Sequence, residues 1–71
     1  MQNGNGQQIN VGDKVFSADS DNIKTGTIHS FSYEAGYVYT KEGNTWDVYD
    51  LYLSETEAQA KIDRRMSFRN A

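Results

Sequence analysis

The stretch YVYTKEGNTWDVYDLYL, residues 37–53, holds five of the nine aromatic residues in a chain of 71. A chain this short buries only about 60% of the surface its unfolded form exposes. It has no cysteine, so neither a disulfide nor a thiolate zinc site can add stability. A single compact apolar core must do that work, and large rings supply the most buried area per residue. Most rings in residues 37–53 are therefore expected to be packing, Trp46 and Tyr39 first among them. The length allows one domain at most.

Residues 1–8, MQNGNGQQ, are Gly, Asn and Gln after the first Met. Such a segment is too polar to offset the entropy of ordering it, and a disordered tail is expected. Structure is expected to begin near Ile9 or Val11. VGD feeds a strand over residues 14–18, and DSDN is a cluster of turn residues whose short side chains bond nearby backbone. A second strand is expected from Ile23 to Phe31, with Gly26 marking a bulge or tight bend inside it. SYEAG is the next connection.

YVYTK, EGN and TWDVYD read as a hairpin of β-branched and aromatic residues around a glycine turn. A two-residue loop at Gly43–Asn44 sets Tyr39 opposite Val48, and a four-residue loop from Lys41 to Asn44 sets it opposite Trp46. Both registers put Tyr37, Tyr39, Trp46 and Val48 on the inner face and Val38, Asp47 and Tyr49 on the outer one. A three-residue loop with a bulge breaks that argument. Phe16, Tyr33, Tyr49 and Tyr52 are left over and form the expected exposed aromatic patch.

Residues 54–67 are expected to form a helix. Ser54 and Glu57 fit a capping box, with Leu53 and Ala58 placed for a staple. Glu55 and Glu57 suit its positive end, and Arg64 and Arg65 its negative end. Ala58, Ile62 and either Met66 or Arg65 make a narrow apolar stripe, enough to cover an open end of a barrel with Ile62 as lid. Phe68 is expected to dock back from the fraying end SFRNA.

Chemistry finds little purchase in these residues. The one histidine, His29, lies inside a strand, and its serine neighbour Ser30 points to the opposite face. DSDN fails as a calcium loop, because the sixth residue from Asp19 is Lys24 where glycine belongs and the twelfth is Ser30 where Glu belongs. GNG has no strand before it or helix after it, so it is no phosphate loop. The expectation is a non-enzyme with no cofactor and no metal.

Net charge is −3 and the isoelectric point about 4.8, which opposes binding to phosphate polymers or anionic membranes. Basic residues gather only at Arg64, Arg65 and Arg69. No apolar run spans a bilayer and no secretory pattern opens the chain, so a cytoplasmic setting is expected.

Gly12-Asp13 before a first strand, the polar turn at Asp19–Asn22, and Gly26-Thr27-Ile28 in a bent second strand resemble the opening of SH3-like barrels of the KOW and Tudor kind. EGN at a turn and DLYL as a short helical step into a last strand are similar to their later half. The likeness covers residues 11–53. It implies a mainly β fold, a five-stranded partly open barrel over residues 9–53, here followed by a helix packing on it. For Tudor domains it implies an aromatic cage that holds a methylated Lys or Arg. Phe16, Tyr39 and Asn44 match cage positions, whereas Glu42 and Ile23-Lys24 replace its other aromatics. For KOW modules it implies RNA or RNA polymerase partners. The chain also resembles small barrel-plus-helix proteins of bacteria and their phages.

The expected function is a protein-binding module that makes contact through Phe16, Tyr33, Tyr49 and Tyr52, with Asp47 and Asp50 as an acidic rim. Pairing of two copies through a strand edge would protect that edge. KOW-like RNA binding through the turn and the basic end is the alternative.

Overall fold

The computed structural model describes the backbone from residue 1 to residue 69 and the side chains as far as Phe68. Five antiparallel strands form one open sheet: β1 (Lys14–Ser17), β2 (Lys24–Ser32), β3 (Tyr37–Thr40), β4 (Thr45–Asp47) and β5 (Leu51–Tyr52). Their spatial order is β4-β3-β2-β1-β5. A single 3-10 turn, Val48–Asp50, joins β4 to β5, and one helix, α1 (Glu55–Arg69), follows. The long β2 belongs to both halves of the sheet, pairing with β1 through its first residues and with β3 through its last.

Between those halves β2 carries an extra residue. Ile28 lies opposite Thr40 and Ser30 opposite Tyr39, so His29 has no counterpart on β3. This bulge bends the strand, as one added residue in an antiparallel pair does. Gly26, the expected bulge, is instead regularly paired with Val15. Glycine is needed there for clearance: a Cβ would stand 3.0 Å from both Trp46 Cζ3 and Thr40 Cγ2.

The β3–β4 connection is the three-residue loop Lys41-Glu42-Gly43. Gly43 N–H donates to the Thr40 carbonyl at 3.1 Å, and Thr40 N–H donates to the Asn44 carbonyl at 2.9 Å. Gly43 then takes a φ of +91°, which glycine adopts without steric cost. The Thr40 hydroxyl accepts from Asn44 N–H at 3.0 Å, and Glu42 Oε1 accepts from Thr27 N–H on β2 at 2.8 Å. An odd loop shifts β4 by one residue against the registers expected above. Val38 therefore faces Trp46, and Tyr39 faces Thr45. The inner face is Val38, Thr40, Trp46 and Val48, all buried, while Tyr37 and Tyr39 point outward, 42% and 40% exposed. Trp46 is the expected core residue at 5% exposure, but its neighbour across the strand is Val38.

Two apolar clusters lie on opposite faces of β1 and β5. The first joins Ile9, Val15, Ile28, Val38, Trp46, Val48 and Leu51. The second joins Ala18, Tyr52, Ala58 and Ile62, with Phe16 and Ile23 against it. Alternation along a strand explains the split: Val15 and Leu51 face one way, Phe16 and Tyr52 the other. The helix thus covers the far face of β1 and β5, and Ile62 is not the lid over Trp46.

Ser54 caps α1, its hydroxyl accepting from Glu57 N–H at 3.2 Å. Along the helix the buried stripe is Ala58 and Ile62, continued by the half-buried Arg65. Arg65 Nη2 donates to the carbonyls of Ala18 and Ser20, both at 2.8 Å. Met66 and Phe68 are exposed, so Phe68 does not dock back. The helix runs through Arg69; Asn70 and Ala71 lie outside the described residues.

The first eight residues, expected to be a disordered tail, form a closed loop. Ile9 N–H donates to the Met1 carbonyl at 2.9 Å and Asn3 N–H to the Gln7 carbonyl at 3.0 Å. At its centre Asn3 is buried, 3% exposed. Its Oδ1 accepts from the N–H groups of Asn5 and Gln7, both at 3.0 Å. Composition hid this because a single amide side chain supplies the closing bonds, and Met1 packs on the first cluster.

Candidate functional site

The outward face of β2, β3 and β4 carries two transverse rows. Side chains directly opposite in an antiparallel pair share a face. Register therefore sets Ser30, Tyr39 and Thr45 in one row and Ser32, Tyr37 and Asp47 in the next. Each row has a tyrosine at its centre, a serine on one side, and a hydroxyl or carboxylate on the other. The serines and Asp47 are half-buried and Thr45 is exposed. Asp47 Oδ1 accepts from Tyr49 N–H at 2.9 Å, capping the 3-10 turn and holding its carboxylate at the end of the second row.

Three features make these rows a surface suited to contact. Tyrosine offers a wide apolar ring and a polar tip at the cost of only two side-chain torsions. Hydroxyls on either side can donate or accept as a partner requires. The strands beneath are fixed by the packed inner face, so the rings stand on a rigid base. At the margin, β4 has its outer edge open: Trp46 directs its backbone groups to β3, which turns those of Thr45 and Asp47 outward.

The residues expected to form the contact patch are dispersed. Tyr52 is 3% exposed and lies opposite Phe16 on the face that α1 covers, and burial pushes its phenol up. Phe16 is half-buried, with Lys14 Nζ 5.4 Å from its ring centroid. Tyr33 is exposed beyond the end of β2, its ring centroid 5.7 Å from that of Phe31. Tyr49 is exposed on the 3-10 turn. Asp50 is half-buried, and burial raises its carboxyl above the usual range, helped by the charges of Asp47 and Asp19. Only Asp47 lies in the rows. Tyr37 and Tyr39 were missed because the loop length that decides their direction is not written in their own alternation. The EGN glycine, read as the left-handed position closing a three-residue loop, was the available signal.

A second surface lies at the end of α1, where Lys61, Arg64, Arg65 and Phe68 line a shallow open groove. Elsewhere, His29 is exposed at the bulge, and no cluster of three or more His, Asp or Glu is placed to hold a metal ion among the described residues. No described helix is long and apolar enough to cross a membrane. No family model, no curated protein and no solved structure matches the chain.

Proposed function

We propose that this chain is a non-enzymatic protein-interaction module with an SH3-like barrel as its scaffold. The scaffold reading rests on the strand order β4-β3-β2-β1-β5, the shared bent β2, and the one-turn helical step before β5. The bent β2 and a helical step fit the pattern that the resemblance to KOW and Tudor barrels implies, with the step at Val48–Asp50 and Leu51–Tyr52 of DLYL forming β5 itself. The function reading rests on one observation, the pair of rows Ser30–Tyr39–Thr45 and Ser32–Tyr37–Asp47 with their two tyrosines turned to solvent. Aromatic rings ringed by small polar groups are the residue types enriched at recognition surfaces. Asp47 and the net charge of −3 favour a partner that presents Lys or Arg to the tyrosine rings. The open edge of β4 beside the rows offers main-chain groups to an added strand, from that partner or from a second copy.

The test is a crosslinked pull-down from the source organism after nuclease treatment. Tyr37→Ser with Tyr39→Ser is expected to abolish capture while leaving the far-UV circular dichroism unchanged. Tyr33→Ser is expected to keep capture. Undiminished capture by the double variant overturns the assignment of the surface. The groove at Lys61, Arg64 and Phe68 supports the second reading, RNA binding. Under that reading nuclease treatment removes the partner, and Lys61→Glu with Arg64→Glu abolishes retention on RNA at moderate salt.

A further inference from the structure

The opening segment contains two Asn-Gly steps, Asn3-Gly4 and Asn5-Gly6, held in very different settings. We propose that Asn5 is a site of spontaneous deamidation and that the product unlatches the N-terminal loop from α1. In this reaction the Gly6 backbone nitrogen gives its proton to solvent base and attacks Asn5 Cγ. The Cγ–Nδ2 bond breaks, Nδ2 leaves as ammonia with a proton from water, and a cyclic imide remains. Water then opens the imide to an aspartyl or isoaspartyl residue. Glycine as the following residue lets the nitrogen approach because no Cβ stands in its way.

Asn3 is protected. Its side chain is buried, Oδ1 accepts two backbone N–H groups, and Nδ2 donates to Gln7 Oε1 at 2.9 Å. Gly4 is wedged so closely that a Cβ there would stand 2.7 Å from the Tyr49 carbonyl oxygen, leaving this step little room to turn. Asn5 is exposed, and nothing lies within 4 Å of where a Cβ on Gly6 would be. Two bonds restrain the backbone of this step, from Gly6 N–H to the Asn3 carbonyl and from Asn5 N–H to Asn3 Oδ1, both at 3.0 Å.

The consequence follows from what Asn5 touches. Its Nδ2 donates to Glu57 Oε2 at 3.2 Å, and Gln7 Nε2 donates to Glu57 Oε1 at 3.5 Å. These two bonds join the loop to the first turn of α1. Deamidation replaces the Asn5 donor with a carboxylate facing a carboxylate, and an attraction becomes a repulsion. The Asn3-centred turn then keeps its own bonds, the Met1 contact, the Gly4 packing against Tyr49 and the long Gln7–Glu57 bond, but loses the shorter of its two bonds to α1.

The experiment incubates the native chain at pH 8 and maps peptides by mass spectrometry, with a parallel sample in urea. Conversion at position 5 is expected to exceed that at position 3 several-fold in the native sample, and the two are expected to converge in urea. Equal or faster conversion at position 3 in the native sample, or none at position 5 while the urea sample reacts, overturns the assignment. For the latch, N5D is expected to speed amide hydrogen exchange at Asn3 and Ile9 several-fold while Trp46 stays protected. Adding E57Q to N5D is expected to restore the slow exchange. Unchanged exchange in N5D, or no rescue by E57Q, overturns the latch.

Discussion

Gly26 shows how one missing methyl group carries a fold. A Cβ there would stand 3.0 Å from the indole of Trp46 and from Thr40 Cγ2, so Gly26→Ala forces the ring or β3 to give by a few tenths of an ångström. Overpacking of this kind costs about 1–3 kcal/mol, readable as a lower midpoint in urea. Trp46→Ala removes the largest side chain of the first cluster, and such a loss costs about 3–5 kcal/mol. A domain of this size holds roughly 4–10 kcal/mol in all, so that variant is expected to lose its cooperative melt. Asp50 gives a pH test. Its raised pKa means the folded chain holds that proton more tightly than the unfolded chain does. The associated stability is fully present below the ordinary carboxylate pKa and is lost as pH rises through the raised value. Asp50→Asn is therefore expected to match the native melting temperature near pH 3 and exceed it at pH 7. A lower melting temperature at pH 7 would contradict this assignment. Glu42 runs the other way. The Thr27 N–H bond to its carboxylate lowers its pKa, so that bond's contribution fades as pH falls through the lowered value.

At the scale of elements, the β3–β4 loop decides which rings are core. Three loop residues rather than two or four turn Tyr37 and Tyr39 to solvent and Val38 inward. Gly43→Ala places a side chain at a φ of +91° and is expected to cost about 1–2 kcal/mol. Deleting Glu42 while a three-residue loop is kept, now Lys41-Gly43-Asn44, would set Tyr39 opposite Trp46 and carry the indole to the outer face. A red shift of Trp46 emission with free iodide quenching is the expected sign; unshifted emission would show that packing overrides the loop. The helix start was legible, because Ser54 at the cap and Glu57 three residues on are a local signal, and Ser54→Ala is expected to cost about 1 kcal/mol. The second half of the capping box was not legible: the Glu57 carboxylate reaches Asn5 and Gln7 instead, partners some fifty residues away in sequence.

Across the whole molecule, the sheet keeps one cluster on each face of β1 and β5, and the helix closes only the second. Arg65 pins that closure through the Ala18 and Ser20 carbonyls, while its Nε is buried without a partner. Arg65→Met keeps the stem's apolar contact and removes the unmatched donor, yet leaves both carbonyls without it. The expected outcome is faster exchange along α1 with the sheet's protection intact. Simultaneous loss of protection in both would show that sheet and helix unfold as one unit.

What the sequence determined by itself is whatever depends on near neighbours: five short strands between polar turns, the helix from Ser54 onward, the burial of Trp46, Ala58 and Ile62, and the openness of Tyr33 and Tyr49. Tertiary structure decided the rest. Which face of β3 is wet depends on loop parity across two strands. Tyr52 is buried because α1 returns over β5, and residues 1–8 close because Asn3 finds three partners and a covered position. Short-range pattern records a residue's own preference. The direction it faces is set by whatever long-range pairing buries the most apolar surface with every polar group matched.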